Sequence, residues 1–132
     1  MNKIERFEDI LAWQKARVLT KDIYACAKTG LFARDYGVRD QVQRASVSAM
    51  ANIAEGFERG GDREFLQFLS NSKGSCGEVK SHLYVALDQN YLTQLNFDQL
   101  YGKADEVSRL VGGFMNHLRQ SELGGHKYKG RS

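Results

Sequence analysis

Glu78 and His82 stand four residues apart, on one face of any helix that holds them, and come nearest in this chain to a metal-binding pair. Di-iron bundles take a Glu from each of two helices and a Glu-x-x-His motif from each of the other two. No Glu-x-x-His occurs here, and Glu106 with His117 does not complete the set, so neither a metal nor a cofactor is expected. Nucleophilic catalysis needs Ser or Cys beside a base that a third group orients. The scattered His82, His117 and His126 offer no Ser-His-Asp or Cys-His arrangement. Lys73-Gly74-Ser75 matches only the end of a phosphate loop, without its upstream glycine or a preceding strand, and is read as a close helix contact. The expectation is a protein without catalytic residues.

Recognition chemistry is better represented. At about 100° per residue, Gln41, Arg44, Ser48, Asn52, Glu55 and Arg59 fall in one narrow polar stripe. Such a stripe is either a polar network that fixes helix register or a surface for a ligand or RNA. If the flanking helices run antiparallel about Gly60-Gly61, Arg44 and Glu78 stand nearly equally far from the turn and should face each other. Were that ion pair buried, Arg44→Ala would cost roughly 3–5 kcal/mol. Arg59 and Arg63 near the turn are mixed with Glu55, Glu58, Asp62 and Glu64, a pattern that is normally solvated.

The elements that must position these residues are helices. The chain has no proline, no sustained alternation of period two, and glycines that punctuate helical stretches. Apolar steps of three and four predict a first helix over roughly 9–28, through Ala12, Ala16, Leu19, Ile23 and Cys26. A second, about Tyr36 to Phe57, puts Val38, Val42, Ala45, Ala49, Ile53 and Gly56 on one face. Asp62 is the expected cap of a third, with Phe65, Leu69, Ser72, Cys76, Val79, Leu83 and Ala86 inward. A fourth starts at Asn96, capped with help from Gln99, and carries Leu100, Ala104, Val107, Val111, Phe114 and Leu118; Gly112-Gly113 marks a close-packing or bending point. Short connections suit an all-α, antiparallel up-down-up-down four-helix bundle over residues 1–120, followed by a flexible basic tail over 121–132.

The second helix is unusual, since Val47, Ala51 and Ala54, with Met50 beside them, lie behind its core stripe. That face is covered either by loops or termini of the same molecule, or by self-association.

At 132 residues the chain fits one domain. A charged N-terminus and no apolar run of the roughly 18 residues that span a bilayer point to the cytoplasm and away from membranes. Cys26 and Cys76 read as reduced, partly buried small hydrophobes. Lys127, Lys129 and Arg131 against Glu122 account for +2 of the net +3, so charge alone does not establish RNA binding. Arg59, Arg63 and those three tail cations are the candidate nucleic-acid contacts.

The run from Gln41 to Phe57, with Asn52-Ile53-Ala54-Glu55-Gly56 its most specific part, is followed by Arg59, Phe65, Leu66, Phe68 and Leu69. With Phe7-Glu8-Asp9-Ile10-Leu11-Ala12-Trp13-Gln14-Lys15-Ala16, Ile23-Tyr24, Gly74-Ser75 and Glu78, it resembles the 23S rRNA intervening-sequence protein family of bacteria over about residues 7–118. Where that family often has a proline, this chain has Met50. The resemblance implies a four-helix bundle that forms a homopentameric ring. It also implies kinship with the accessory variability determinants of diversity-generating retroelements, which bind a reverse transcriptase and its template RNA. By resemblance, Gln41, Arg44, Asn52, Glu55, Gly56, Gly74, Ser75 and Glu78 are structural or recognition residues. The expected partners are further copies of the chain and an RNA or ribonucleoprotein, the alternative being a protein-binding adaptor that uses the apolar face of the second helix.

Overall fold

The four apolar stripes become four long helices in the structure, a computed structural model that describes residues 3–129 and, among them, side chains up to residue 121. A single 3-10 turn, Phe7–Asp9, leads into α1 (Leu11–Ala27); α2 (Gly30–Arg34) is short; α3 (Tyr36–Arg59), α4 (Asp62–Asp88) and α5 (Gln94–Lys129) complete the chain. No strand occurs among the described residues. At 1.5 Å per residue α4 is about 40 Å long, and the short α3–α4 and α4–α5 connections force antiparallel neighbours. α3 packs on α4, α4 on α5, and α1 on both α3 and α5, so the four long helices occupy the corners of an up-down-up-down bundle. No helix among the described residues is long and apolar enough to cross a membrane.

The core follows the stripes. All seven expected positions of α4 are buried, as are Val42, Ala45, Ala49, Ile53 and Gly56 of α3. At the end of α1 the core position passes from Cys26, which is half-buried, to Ala27, because 3.6 residues per turn carries the inward face round by the last turn. In α5 Phe114 stays half-buried and Met115 takes the interior. α3 runs unbroken through Met50.

The helix starts differ from expectation. Gly61, not Asp62, is the cap of α4, and Asp62 lies in the first turn, where its carboxylate favours the positive end of the helix dipole. α5 begins at Gln94, and the Asn96 N–H donates to Thr93 Oγ1 at 3.1 Å, so Thr93 caps and no Asn96/Gln99 box forms. Leu92 and Phe97, both buried, flank that cap as a hydrophobic staple and draw the start forward. Gly112 and Gly113 mark no contact or break: a Cβ at Gly113 would meet nothing within 4 Å, and one at Gly112 only the end of Lys73, at 3.6 Å. α5 continues as helix to Lys129, whereas the tail was expected from 121; residues 130–132, and the side chains from 122 onward, lie outside the described residues.

One tie crosses the loops. Asp35 accepts the Val38 N–H at 3.2 Å, capping α3, and the Tyr91 hydroxyl at 2.7 Å, while Tyr91 stacks on the buried Phe32 of α2. The hydrogen bond from Tyr91, and then that from Val38, holds the Asp35 carboxyl below its ordinary range, and the same bond raises the Tyr91 phenol. A lowered carboxylate stabilises the fold while ionised; that contribution is present above the unfolded pKa and is lost as pH falls through the folded one. Wild type should therefore lose more thermal stability than Asp35→Asn between neutral pH and about pH 2. Equal losses in parallel melting curves would show that Asp35 is not held this way.

Candidate functional site

α3 and α4 approach closely because small residues line their seam. A Cβ at Gly56 would stand 2.7 Å from Phe68 Cβ and 2.9 Å from Phe65 Cδ1. Further along, buried Ser72 donates to the Ala49 carbonyl at 2.7 Å, and Ser48 and Ser75 share a hydroxyl–hydroxyl hydrogen bond of 2.9 Å. Asn52 donates to the Ser48 carbonyl at 2.8 Å and to its hydroxyl at 3.0 Å. On the α1 side Thr20 donates to the Ser46 carbonyl at 3.1 Å. This seam is a register-fixing polar network: every buried hydroxyl has a partner, and a slip of either helix would strand several.

Towards the α2 end the seam opens into a cavity of about 320 Å³, lined by Gln41, Arg44, Ala45, Ser48, Glu78 and His82. Arg44 and Glu78 face it from opposite helices, as their distance from the turn requires, but no ion pair within 4.0 Å joins them and both side chains are exposed. The expected buried pair is therefore corrected to two solvated charges across a polar groove. Equal height along two helices does not by itself bring two side chains together. Arg44→Ala should change stability by less than about 0.5 kcal/mol, as at an ordinary surface position; a loss of the size a buried pair implies, in denaturant titration, would restore the pairing.

At the other end Arg59 binds Glu55 at 3.0 Å, approaches Glu64 at 3.9 Å and lies over the Phe68 ring at 5.2 Å. Its charge is locally neutralised. Arg63 is exposed in the first turn of α4, while the side chains of Lys127, Lys129 and Arg131 lie outside the described residues.

Of the residues singled out by resemblance, Asn52, Gly56 and Ser75 meet in the seam, Gln41, Arg44 and Glu78 line the cavity, and Glu55 belongs to the turn. Gly74 joins none of them: it faces outward, and a Cβ there would meet nothing within 4 Å, so Lys73-Gly74-Ser75 is not a close glycine contact. Its neighbours divide, Ser75 turning to α3 and Lys73 donating to Ser108 of α5 at 3.0 Å. His82, placed with Glu78 on one helix face by their spacing of four, is half-buried in the cavity wall. Burial pushes the Cys76 thiol up to about 11 and raises that of Cys26, so neither supplies a thiolate nucleophile near neutral pH. Among the described residues no three His, Cys, Asp or Glu side chains gather as a metal site.

These helices and their seam define an up-down-up-down four-helix bundle whose α3–α4 interface is joined by small and polar residues. The chain is a member of the 23S rRNA-intervening sequence protein family, whose model matches residues 8–113. It is also similar to the crystal structure of a protein of unknown function from the S23 ribosomal protein family of Bacteroides thetaiotaomicron. That likeness has a TM-score of 0.73 at 17% identity, covering 80% of this chain and 98% of the other, and supports the fold. No curated protein matches the chain.

Proposed function

We propose that the chain acts without catalysis, as one subunit of a homo-oligomeric, pentameric ring of four-helix bundles that serves as an accessory to an RNA or a ribonucleoprotein. The outward side of α3 carries the reading. Val47 is 39% exposed there and Ala51 is exposed beside the half-buried Ala54. An apolar strip behind a complete core face is better covered by a copy of the chain than left in water.

RNA enters through the description of the family. Repetition about a ring axis would multiply whatever basic surface one subunit carries. The neutralised charges of the α3–α4 turn favour a second reading, a protein-binding adaptor without nucleic acid.

Native mass spectrometry of protein purified without nuclease, repeated after high salt and after RNase, tests both. The expected result is one multimer carrying RNA that high salt removes, since phosphate contacts weaken steeply with ionic strength. A multimer that never carries RNA supports the adaptor. A bare monomer in every condition overturns the ring.

A further inference from the structure

The cavity at the α2 end of the α3–α4 seam holds two opposite charges that the fold does not use. Gln41, Arg44, Ala45 and Ser48 recur at steps of three and four and form its α3 wall; Glu78 and His82, four apart, form the α4 wall. Buried Ala45 and half-buried Ser48 make the floor, with exposed Arg44 and Glu78 at the rim. Asp40, one turn from Arg44 on the same helix, is taken by Arg39 at 3.0 Å. Lys80, the cation nearest Glu78 in sequence, donates instead to Asp105 of α5 at 2.8 Å. Among the described residues no salt bridge involves Arg44 or Glu78.

The floor also offers a proton. Ser48 and Ser75 share one hydrogen bond of 2.9 Å, in which either could donate, and Asn52 donates to Ser48 Oγ at 3.0 Å. Ser75 is buried, and among the described residues its hydroxyl makes that one bond. Were Ser75 the acceptor, its own proton would be stranded in the interior at a cost, so Ser75 donates. Ser48 then accepts twice, which fills both lone pairs, and its own O–H is left for the cavity. The α3 wall thus presents the Ser48 hydroxyl, the Gln41 amide and the Arg44 guanidinium, all donors, opposite a carboxylate and an imidazole.

We propose that this cavity binds a small zwitterion of the amino-acid class, its carboxylate on Arg44, Ser48 and Gln41 and its ammonium on Glu78 and the acceptor nitrogen of His82. The site is lined by one chain and is independent of the ring and of RNA. Opposite charges on facing walls select by sign. A bare anion such as phosphate is repelled by Glu78 and a bare cation by Arg44, whereas a molecule that carries both charges satisfies both walls. The planar guanidinium also matches a carboxylate, which it holds by two parallel hydrogen bonds.

Size and lining agree with a small ligand. The volume of about 320 Å³ lies at the lower end of small-molecule sites, which run from roughly 300 to 1,000 Å³. Among the described residues no Phe, Tyr or Trp lines the cavity, so a nucleobase finds no aromatic ring on which to stack. The Ser72–Ala49 and Ser48–Ser75 hydrogen bonds hold the two walls at a fixed spacing. The polar groups are therefore in place before a ligand arrives, which lowers the ordering cost of binding.

The test is thermal denaturation of the full chain with each standard amino acid, β-alanine and γ-aminobutyrate at millimolar concentration, followed by calorimetric titration of those that stabilise it. At least one should raise the melting temperature in a saturable way, while acetate, methylamine and inorganic phosphate should not. Arg44→Gln and Glu78→Gln, both at exposed positions, should each weaken that binding about tenfold or more and leave the ligand-free melting temperature as it is. Lys21→Gln, an equal loss of charge on the exposed side of α1, should bind as wild type does. If no amino acid stabilises the protein, or if either cavity variant binds as tightly as wild type, the site is overturned. Acetate or phosphate acting as well as the amino acid would mean an anion contact alone and would overturn the zwitterion.

Discussion

Gly56→Ala is expected to lower stability by about 1–2 kcal/mol, with a melting temperature of order 5 °C lower. The sign is the informative part, because the same substitution in an open helical position works the other way. Alanine exceeds glycine in helix propensity by up to about 1 kcal/mol. At Gly74, where a new Cβ would meet nothing within 4 Å, that gain should appear as a small rise in stability. At Gly56 the new methyl would stand 2.7 Å from Phe68 Cβ, an atom that cannot move without its backbone. Overpacking of this kind costs about 1–3 kcal/mol and outweighs the propensity. Relief requires α3 and α4 to separate, which lengthens the Ser72–Ala49 and Ser48–Ser75 hydrogen bonds behind it. Equal gains at the two positions in chemical denaturation would show that the seam is looser than these distances say.

The contrast between Gly56 and Gly74 also shows what was legible before the fold was seen. Helical phase assigns each residue a face, and with it the inward stripes of α3 and α4 follow at almost every position. Antiparallel counting from Gly60-Gly61 adds height, which is enough to bring Arg44 and Glu78 to one cavity. It does not supply reach: whether two long side chains close on each other depends on the width of the groove, set by the small residues Ala45 and Ser48 at its floor. Gly74 fails for a related reason, since a glycine signals a close approach only when its face points inward, and this one lies on the outward side of α4. The α2 helix leaves no mark in the pattern because its five residues are too few to carry a period, and the Asp35–Tyr91 bond leaves none because it joins residues far apart in the chain. Thr93 and Asn96 can both cap a helix; the buried Leu92 and Phe97 decide between them only once their burial is known.

Ile53→Ala and Val47→Ser should separate the two faces of α3. Ile53 has no exposed surface, and the loss of three carbons in the centre of the bundle leaves a cavity that its neighbours fill only in part. The expected cost is about 2–5 kcal/mol, the same at every protein concentration, because the missing contacts are within one chain. Val47 lies less than two turns away on the same helix but points outward, so within a single chain Val47→Ser should cost no more than about 0.5 kcal/mol. Its effect belongs to association. A subunit stabilised by its neighbours melts higher as protein concentration rises, by mass action. Val47→Ser should flatten that dependence and leave the dilute melting temperature almost unchanged, while Ile53→Ala should lower the whole curve and leave its slope. Melting curves of the three proteins across a wide concentration range distinguish the two effects. If Val47→Ser instead lowers the dilute melting temperature as far as Ile53→Ala does, the outward strip is part of the folding core of one chain, and α3 has one working face instead of two.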